Sequence, residues 1–124
     1  MIKVIIADDQ KILAEGIRTV LETSEKIKVI ALASDGEDCL KKIAEEKPDV
    51  VLLDIRMPNM NGVIATREIK KNYPDIKVVI LTTFDDSDYI LDAINYGASG
   101  YLLKDINASS LIDAVVNAYN GELI

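Results

Sequence analysis

Apolar residues along this chain fall into two patterns that take turns. Short continuous runs occur at Val4 to Ala7, Val29 to Ala33, Val50 to Leu53, Val78 to Leu81 and Tyr101 to Leu103. They lack the in-and-out alternation of a half-solvated strand and suit strands covered on both faces, as in a parallel sheet. After each run the apolar residues space out by three and four: Leu13, Ile17, Val20 and Leu21; Leu40, Ile43 and Ala44; Ala65 and Ile69; Ile90, Ala93 and Ile94; Ala108, Leu111, Ile112, Val115 and Tyr119. That spacing predicts helices with one apolar stripe each. Turn-forming clusters separate the elements, at Asp35-Gly36, Lys47-Pro48-Asp49, Pro58 to Gly62, Tyr73-Pro74-Asp75, Gly97 to Gly100 and Asn120-Gly121. Strand and helix alternating five times predict an α/β fold, an open parallel sheet with helices brought to both faces by right-handed crossovers. No run reads as an internal linker, so residues 1–124 are expected to form one domain.

Composition narrows the function. At 124 residues and 49% hydrophobic, the chain can build a single core. A formal charge of -7 repels phosphate backbones and anionic headgroups, which argues against nucleic-acid or membrane binding by this chain itself. Histidine is absent, which removes Ser-His-Asp chemistry, His-ligated metals and a phosphohistidine carrier. Any histidine partner must come from another molecule. Cys39 is the only cysteine, so no intramolecular disulfide can form, and it reads as helix filler. The N-terminal apolar run is too brief for a signal-peptide core or a membrane span, and a cytoplasmic location is expected.

In open parallel sheets the ligand lies outside the carboxyl ends of the strands. There the first run ends in Asp8-Asp9, the third in Asp54, the fourth in Thr82-Thr83 and the fifth in Lys104. Taken singly, each position has an ordinary explanation, because polar residues are common where a chain leaves a strand and Asp or Thr often caps the next helix. Asp35, after the second run, reads as such a cap. The joint pattern is harder to explain that way, since carboxylates roughly 4 Å apart repel by several kcal/mol at an effective dielectric near 20. Lys104 supplies one positive charge, and a divalent ion held by oxygen ligands could supply the rest. Mg²⁺ is the natural candidate, because it binds through one or two carboxylates together with phosphate oxygens. The chemistry is then phosphoryl transfer, which needs an in-line nucleophile and positive charge around the equatorial oxygens. Asp54, with no adjacent carboxylate and followed by the Met57-Pro58 turn, is the best nucleophile candidate.

With Asp8-Asp9, Asp54 followed by Met57-Pro58 and Asn61-Gly62, Thr82, Gly97-Ala98 and Lys104, the chain resembles the receiver domain of two-component response regulators over nearly its whole length. The resemblance implies a flavodoxin-like (βα)5 sandwich with strand order 2-1-3-4-5. It implies that Asp54 is the phosphoacceptor, that Asp9, Asp54 and the backbone carbonyl of Arg56 ligate Mg²⁺, and that Asp8 holds a metal-bound water. Thr82 and Lys104 are then expected to contact the phosphoryl oxygens, and Thr82 and Tyr101 to form the switch. The plainer alternative for Tyr101 is a strand aromatic with its hydroxyl in water. The side chains of Arg56 and Phe84 match positions that modulate dephosphorylation. The expected donor is a sensor histidine kinase. The expected role is a signalling switch, not an enzyme beyond its own phosphorylation and dephosphorylation, with homodimerisation on phosphorylation.

One departure follows Lys104, where many members carry proline and this chain has Asp105, which leaves open whether that peptide bond is cis or trans. Leu81 to Asp86, Gly97 to Asp105 and Ala118 to Glu122 are similar to receivers of the NarL/FixJ type, which precede a LuxR-type helix-turn-helix domain. The chain is therefore expected to be the N-terminal fragment of a longer regulator that meets DNA only through that missing domain. A stand-alone receiver is the alternative. A phosphatase of the haloacid dehalogenase type would need an acidic residue where Arg56 stands, and a flavodoxin-like cofactor binder would place its phosphate against Asp8-Asp9, which repel it.

Overall fold

Every continuous apolar run becomes a strand and every amphipathic stretch a helix. The computed structural model describes residues 1–83 and 86–124. In chain order the elements are β1 (Ile2–Ala7), α1 (Lys11–Leu21), β2 (Ile27–Ala33), α2 (Gly36–Glu45), β3 (Val50–Leu53), α3 (Gly62–Asn72), β4 (Lys77–Thr82), α4 (Ser87–Asn95), β5 (Gly100–Leu103) and α5 (Ala108–Tyr119). The strands form one parallel sheet in the expected order, β2-β1-β3-β4-β5.

The continuous apolar runs follow from burial on both sides of this sheet. Neighbouring residues of one strand point to opposite faces. On β3, Val51 and Leu53 pack with Ile43 of α2, Ile69 of α3 and Ala93 of α4, while Val50 and Leu52 pack with Ile17 of α1 and Val115 of α5. Each fully buried aliphatic side chain of this kind contributes roughly 1.5–3 kcal/mol. The edges depart from the expectation of two covered faces. On β5, Tyr101 is 43% and Leu103 37% exposed, because the outermost strand has only β4 as neighbour and no helix covers these two side chains fully. Ile94 and Tyr119, read from spacing as part of the apolar stripes, are likewise exposed.

Helix starts follow the local sequence. Asp35, Asn61 and Asn107 each cap a helix by accepting the amide hydrogen three residues on; for Asp35 this is the expected role. The N-cap residues of α1 and α4, Gln10 and Asp86, make no such side-chain bond. Among the described residues no helix is long and apolar enough to cross a membrane.

Two glycines separate space from conformation. A Cβ on Gly62 would overlap the Asp54 carbonyl oxygen and come 2.9 Å from Ile55 Cα, so α3 can start this close to β3 only without a side chain there. Gly16, exposed on α1, has nothing within 4 Å of such a Cβ. Gly16→Ala is expected to stabilise the fold by about 0.5–1 kcal/mol, and Gly62→Ala to destabilise it by about 1–3 kcal/mol. Urea unfolding of both variants against the parent checks the pair, and equal effects would contradict the packing described here.

Candidate functional site

The parallel ladder carries the polar residues to one edge and holds their backbones there. Ala7 of β1 is level with Leu53 of β3, and Thr82 of β4 with Leu103 of β5. One step further the ladder still continues: Asp8 N donates to Ala33 O at 3.0 Å, Asp54 N to Ala7 O at 2.9 Å and Lys104 N to Thr82 O at 2.9 Å. Asp8, Asp54 and Lys104 therefore leave the sheet as its last bonded residues. After Asp54 the chain folds back on itself, with Gly62 N donating to Ile55 O. The loop between is pinned by Asn59, which takes a left-handed conformation at φ 63° and donates from Nδ2 to Asp35 Oδ2 at 2.7 Å.

One carboxylate oxygen from each of Asp8, Asp9 and Asp54 lies within 4.8 Å of the others. Asp8 and Asp54 are buried and Asp9 is exposed. Lys104 Nζ stands 3.2 Å from Asp54 Oδ2 and 3.4 Å from Asp8 Oδ2. The remaining oxygens of the buried pair accept backbone amides, Asp54 Oδ1 from Ile55 and Asp8 Oδ1 from Gln10. Two like charges at such separations repel by roughly 3 kcal/mol at an effective dielectric near 20. One ammonium cannot offset three carboxylates. Burial is the largest influence on Asp54 and the Asp8 charge the next; together they raise its pKa against the opposing pull of Lys104. An all-oxygen donor set with surplus negative charge fits a hard cation such as Mg²⁺ and offers no thiolate or imidazole for a softer one.

Thr82 is fully buried, and its hydroxyl donates to Asp86 Oδ2 at 2.6 Å. Arg56 Nε donates to the other oxygen of Asp86, also at 2.6 Å, and its guanidinium sits 5.6 Å from the centre of the Tyr89 ring. Burial alone would raise the Asp86 pKa, but hydrogen bonds from Thr82 and Arg56 and the Arg56 charge outweigh it and the net shift is downward. In the sequence Asp86 has only the look of a helix cap, being an Asp just before an amphipathic stretch; in the fold its carboxylate is engaged by Thr82 of β4 and by Arg56. Tyr101 is half-exposed and lines a shallow groove with Ile90, Leu91 and Ile94 of α4. The structure thus brings Asp8, Asp9, Asp54 and Lys104 together, while Thr82 is bonded to Asp86 and Tyr101 lies in the surface groove. The Lys104-Asp105 peptide bond is trans. Phe84 lies outside the described residues. Cys39 is buried in α2, and burial pushes its thiol up to about 12, consistent with a packing role.

The family model of the response regulator receiver domain matches residues 4–116. The chain is 47% identical over 124 residues to the transcriptional regulatory protein LnrK of Bacillus subtilis (strain 168), covering 100% of this chain and 56% of that protein. It spans about half the length of the curated relatives it matches. Among solved structures it resembles the signal receiver domain of the response regulator NarL from Mycobacterium tuberculosis, with a TM-score of 0.92, 30% identity and 98% of both chains covered. It also resembles a DNA-binding response regulator of the LuxR family from Staphylococcus aureus, with a TM-score of 0.90, 32% identity, and 97% of this chain and 100% of that one covered.

Asp54 offers a check on the electrostatics that needs no ligand. Its raised pKa means the folded protein holds the proton more tightly than the unfolded chain does. Its charge therefore costs no stability below the ordinary carboxylate range near pH 4 and progressively more as pH rises through the raised value. In metal-free buffer, Asp54→Asn should unfold at higher urea than the parent at neutral pH, with the difference shrinking on acidification. An Asn variant less stable at neutral pH would contradict the charge crowding.

Proposed function

This chain belongs to the response regulator receiver domain family, and from that premise we propose that Asp54 is its phosphoryl acceptor, with Asp8, Asp9, Lys104 and Thr82 completing the site. It is the receiver domain of a two-component response regulator of the NarL/LuxR type, a signalling protein. The observation that carries the assignment is the packing of three carboxylates together at the strand ends, two of them against the Lys104 ammonium.

The donor is the phosphohistidine of a sensor histidine kinase. An Asp54 oxygen attacks phosphorus, the P–N bond breaks, and its electron pair stays on the departing imidazole nitrogen. Asp9, Asp54 and the Arg56 backbone carbonyl would hold Mg²⁺, with Asp8 reaching it through a water. When bound, Mg²⁺ offsets the charge on the transferring phosphoryl oxygens. Lys104 supplies a second positive charge to those oxygens and holds the unphosphorylated carboxylates in place. The β3–α3 loop fixes Asp54: Ile55 N restrains one of its oxygens, and the missing side chain at Gly62 lets α3 begin against its backbone. Arg56, occupying the position at which a haloacid dehalogenase-type phosphatase needs its acid, is engaged with Asp86 and offers no proton there.

The new phosphoryl group brings roughly -1.5 to -2 charges and three strong acceptor oxygens. Those acceptors draw on the Thr82 hydroxyl, and Tyr101 moves towards the space it leaves, altering the surface of α4, β5 and α5. Phosphorylation then favours a homodimer and, through an output domain beyond this chain, DNA binding. The fraction of the relatives' length left uncovered and their designation as transcriptional regulators support that extension.

Incubation with acetyl phosphate and Mg²⁺ should add one phosphoryl group by intact mass, and Asp54→Asn should add none. Persistent labelling of the Asn variant would move the acceptor to another residue.

A further inference from the structure

A hydroxyl has one proton to donate. Thr82 gives its proton to Asp86 Oδ2 at 2.6 Å, with both side chains buried. This bond is charge-assisted and shielded from water, which makes it stronger than a neutral one. Asp86 is held in turn by Arg56 Nε on its other oxygen, and the guanidinium lies over Tyr89 in the first turn of α4. Asp86 occupies the N-cap position of α4, where an Asp ordinarily accepts first-turn amide hydrogens. Its side chain makes no such bond, unlike those of Asp35, Asn61 and Asn107.

We propose that Asp86 is a latch on the switch: its carboxylate keeps the single hydroxyl proton of Thr82 in the resting protein, and a phosphoryl group on Asp54 recruits Thr82 only by breaking that bond. The latch deepens the reading of Asp54 as acceptor and rests on it. The phosphoryl group gains only the difference between its own bond to Thr82 and the one Asp86 loses. Asp86 therefore sets the resting population of the unlatched form. Thr83 Oγ1, 3.3 Å from the same Asp86 oxygen, is placed to keep a donor on the carboxylate as Thr82 leaves. With Thr83 as its one remaining hydroxyl donor, that oxygen can also accept from a first-turn amide of α4, which joins the phosphorylation site to the start of that helix.

The test pairs a phosphoryl mimic with a double-mutant cycle. Beryllofluoride with Mg²⁺ is titrated into the parent, Asp86→Ala, Thr82→Val and the double variant, followed by NMR. Asp86→Ala should bind the mimic about tenfold more tightly than the parent, and Asp86→Asn, which keeps an acceptor without the charge, should fall between them. With Thr82→Val already present, Asp86→Ala should leave affinity unchanged. A purely structural role for Asp86 would move affinity equally in both backgrounds and so overturn the latch. Urea unfolding of the resting proteins gives a second reading without any mimic: the two substitutions together should cost less than the sum of each alone, and strict additivity would overturn the latch. A parent that fails to bind the mimic overturns the assignment of Asp54 and the latch with it. A parent that binds it but is indifferent to Asp86→Ala overturns the latch alone.

Discussion

Mutual repulsion among three carboxylates at one edge of the sheet is the constraint around which the site is organised. Asp8 and Asp54 are buried, so water screens them weakly, and Lys104 lies against both. The fold tolerates this charge because the strand ladder leaves it no other place: the backbone amides of both aspartates are bonded into the sheet, and each has one oxygen tied to a following amide. Such a site favours anything that supplies positive charge in a small volume. A cation placed there would relieve the repulsion that the resting site contains.

The elements around the site are joined by hydrogen bonds to one another. Thr82 and Lys104 leave adjacent strands, β4 and β5, and are joined by a backbone hydrogen bond. Thr82 is bonded to Asp86 at the start of α4, and Arg56, two residues after Asp54, reaches the same carboxylate. The β3–α3 loop and the start of α4 therefore meet on one buried group. On β5 and α4, Tyr101, Leu103, Leu91 and Ile94 remain exposed.

Most of the architecture was legible from periodicity. Continuous apolar runs mark a sheet covered on both faces, and Val50 to Leu53 meets that description residue by residue. Tyr101 to Leu103 does not, because a run of three apolar residues looks the same on an edge strand as in the centre, and strand order is a long-range property. The clustering of Asp8, Asp9, Asp54 and Lys104 was legible because each stands where a strand ends. Asp86 was not, since its carboxylate serves a residue on the preceding strand while its position in the chain advertises a helix cap. Asp35 occupies a similar position and does cap its helix. Nothing local distinguishes the two; the difference lies in Thr82 and Arg56, which the fold alone brings to Asp86.

If crowded negative charge defines the resting site, a divalent cation should stabilise the fold by binding there. The direct measurement is urea stability as a function of Mg²⁺, with ionic strength matched by NaCl. The parent should gain about 2.7 kcal/mol once free Mg²⁺ exceeds its dissociation constant 100-fold, and Asp9→Asn should flatten the dependence. Equal stabilisation by the matched sodium salt, or a dependence on Mg²⁺ untouched by Asp9→Asn, would contradict it.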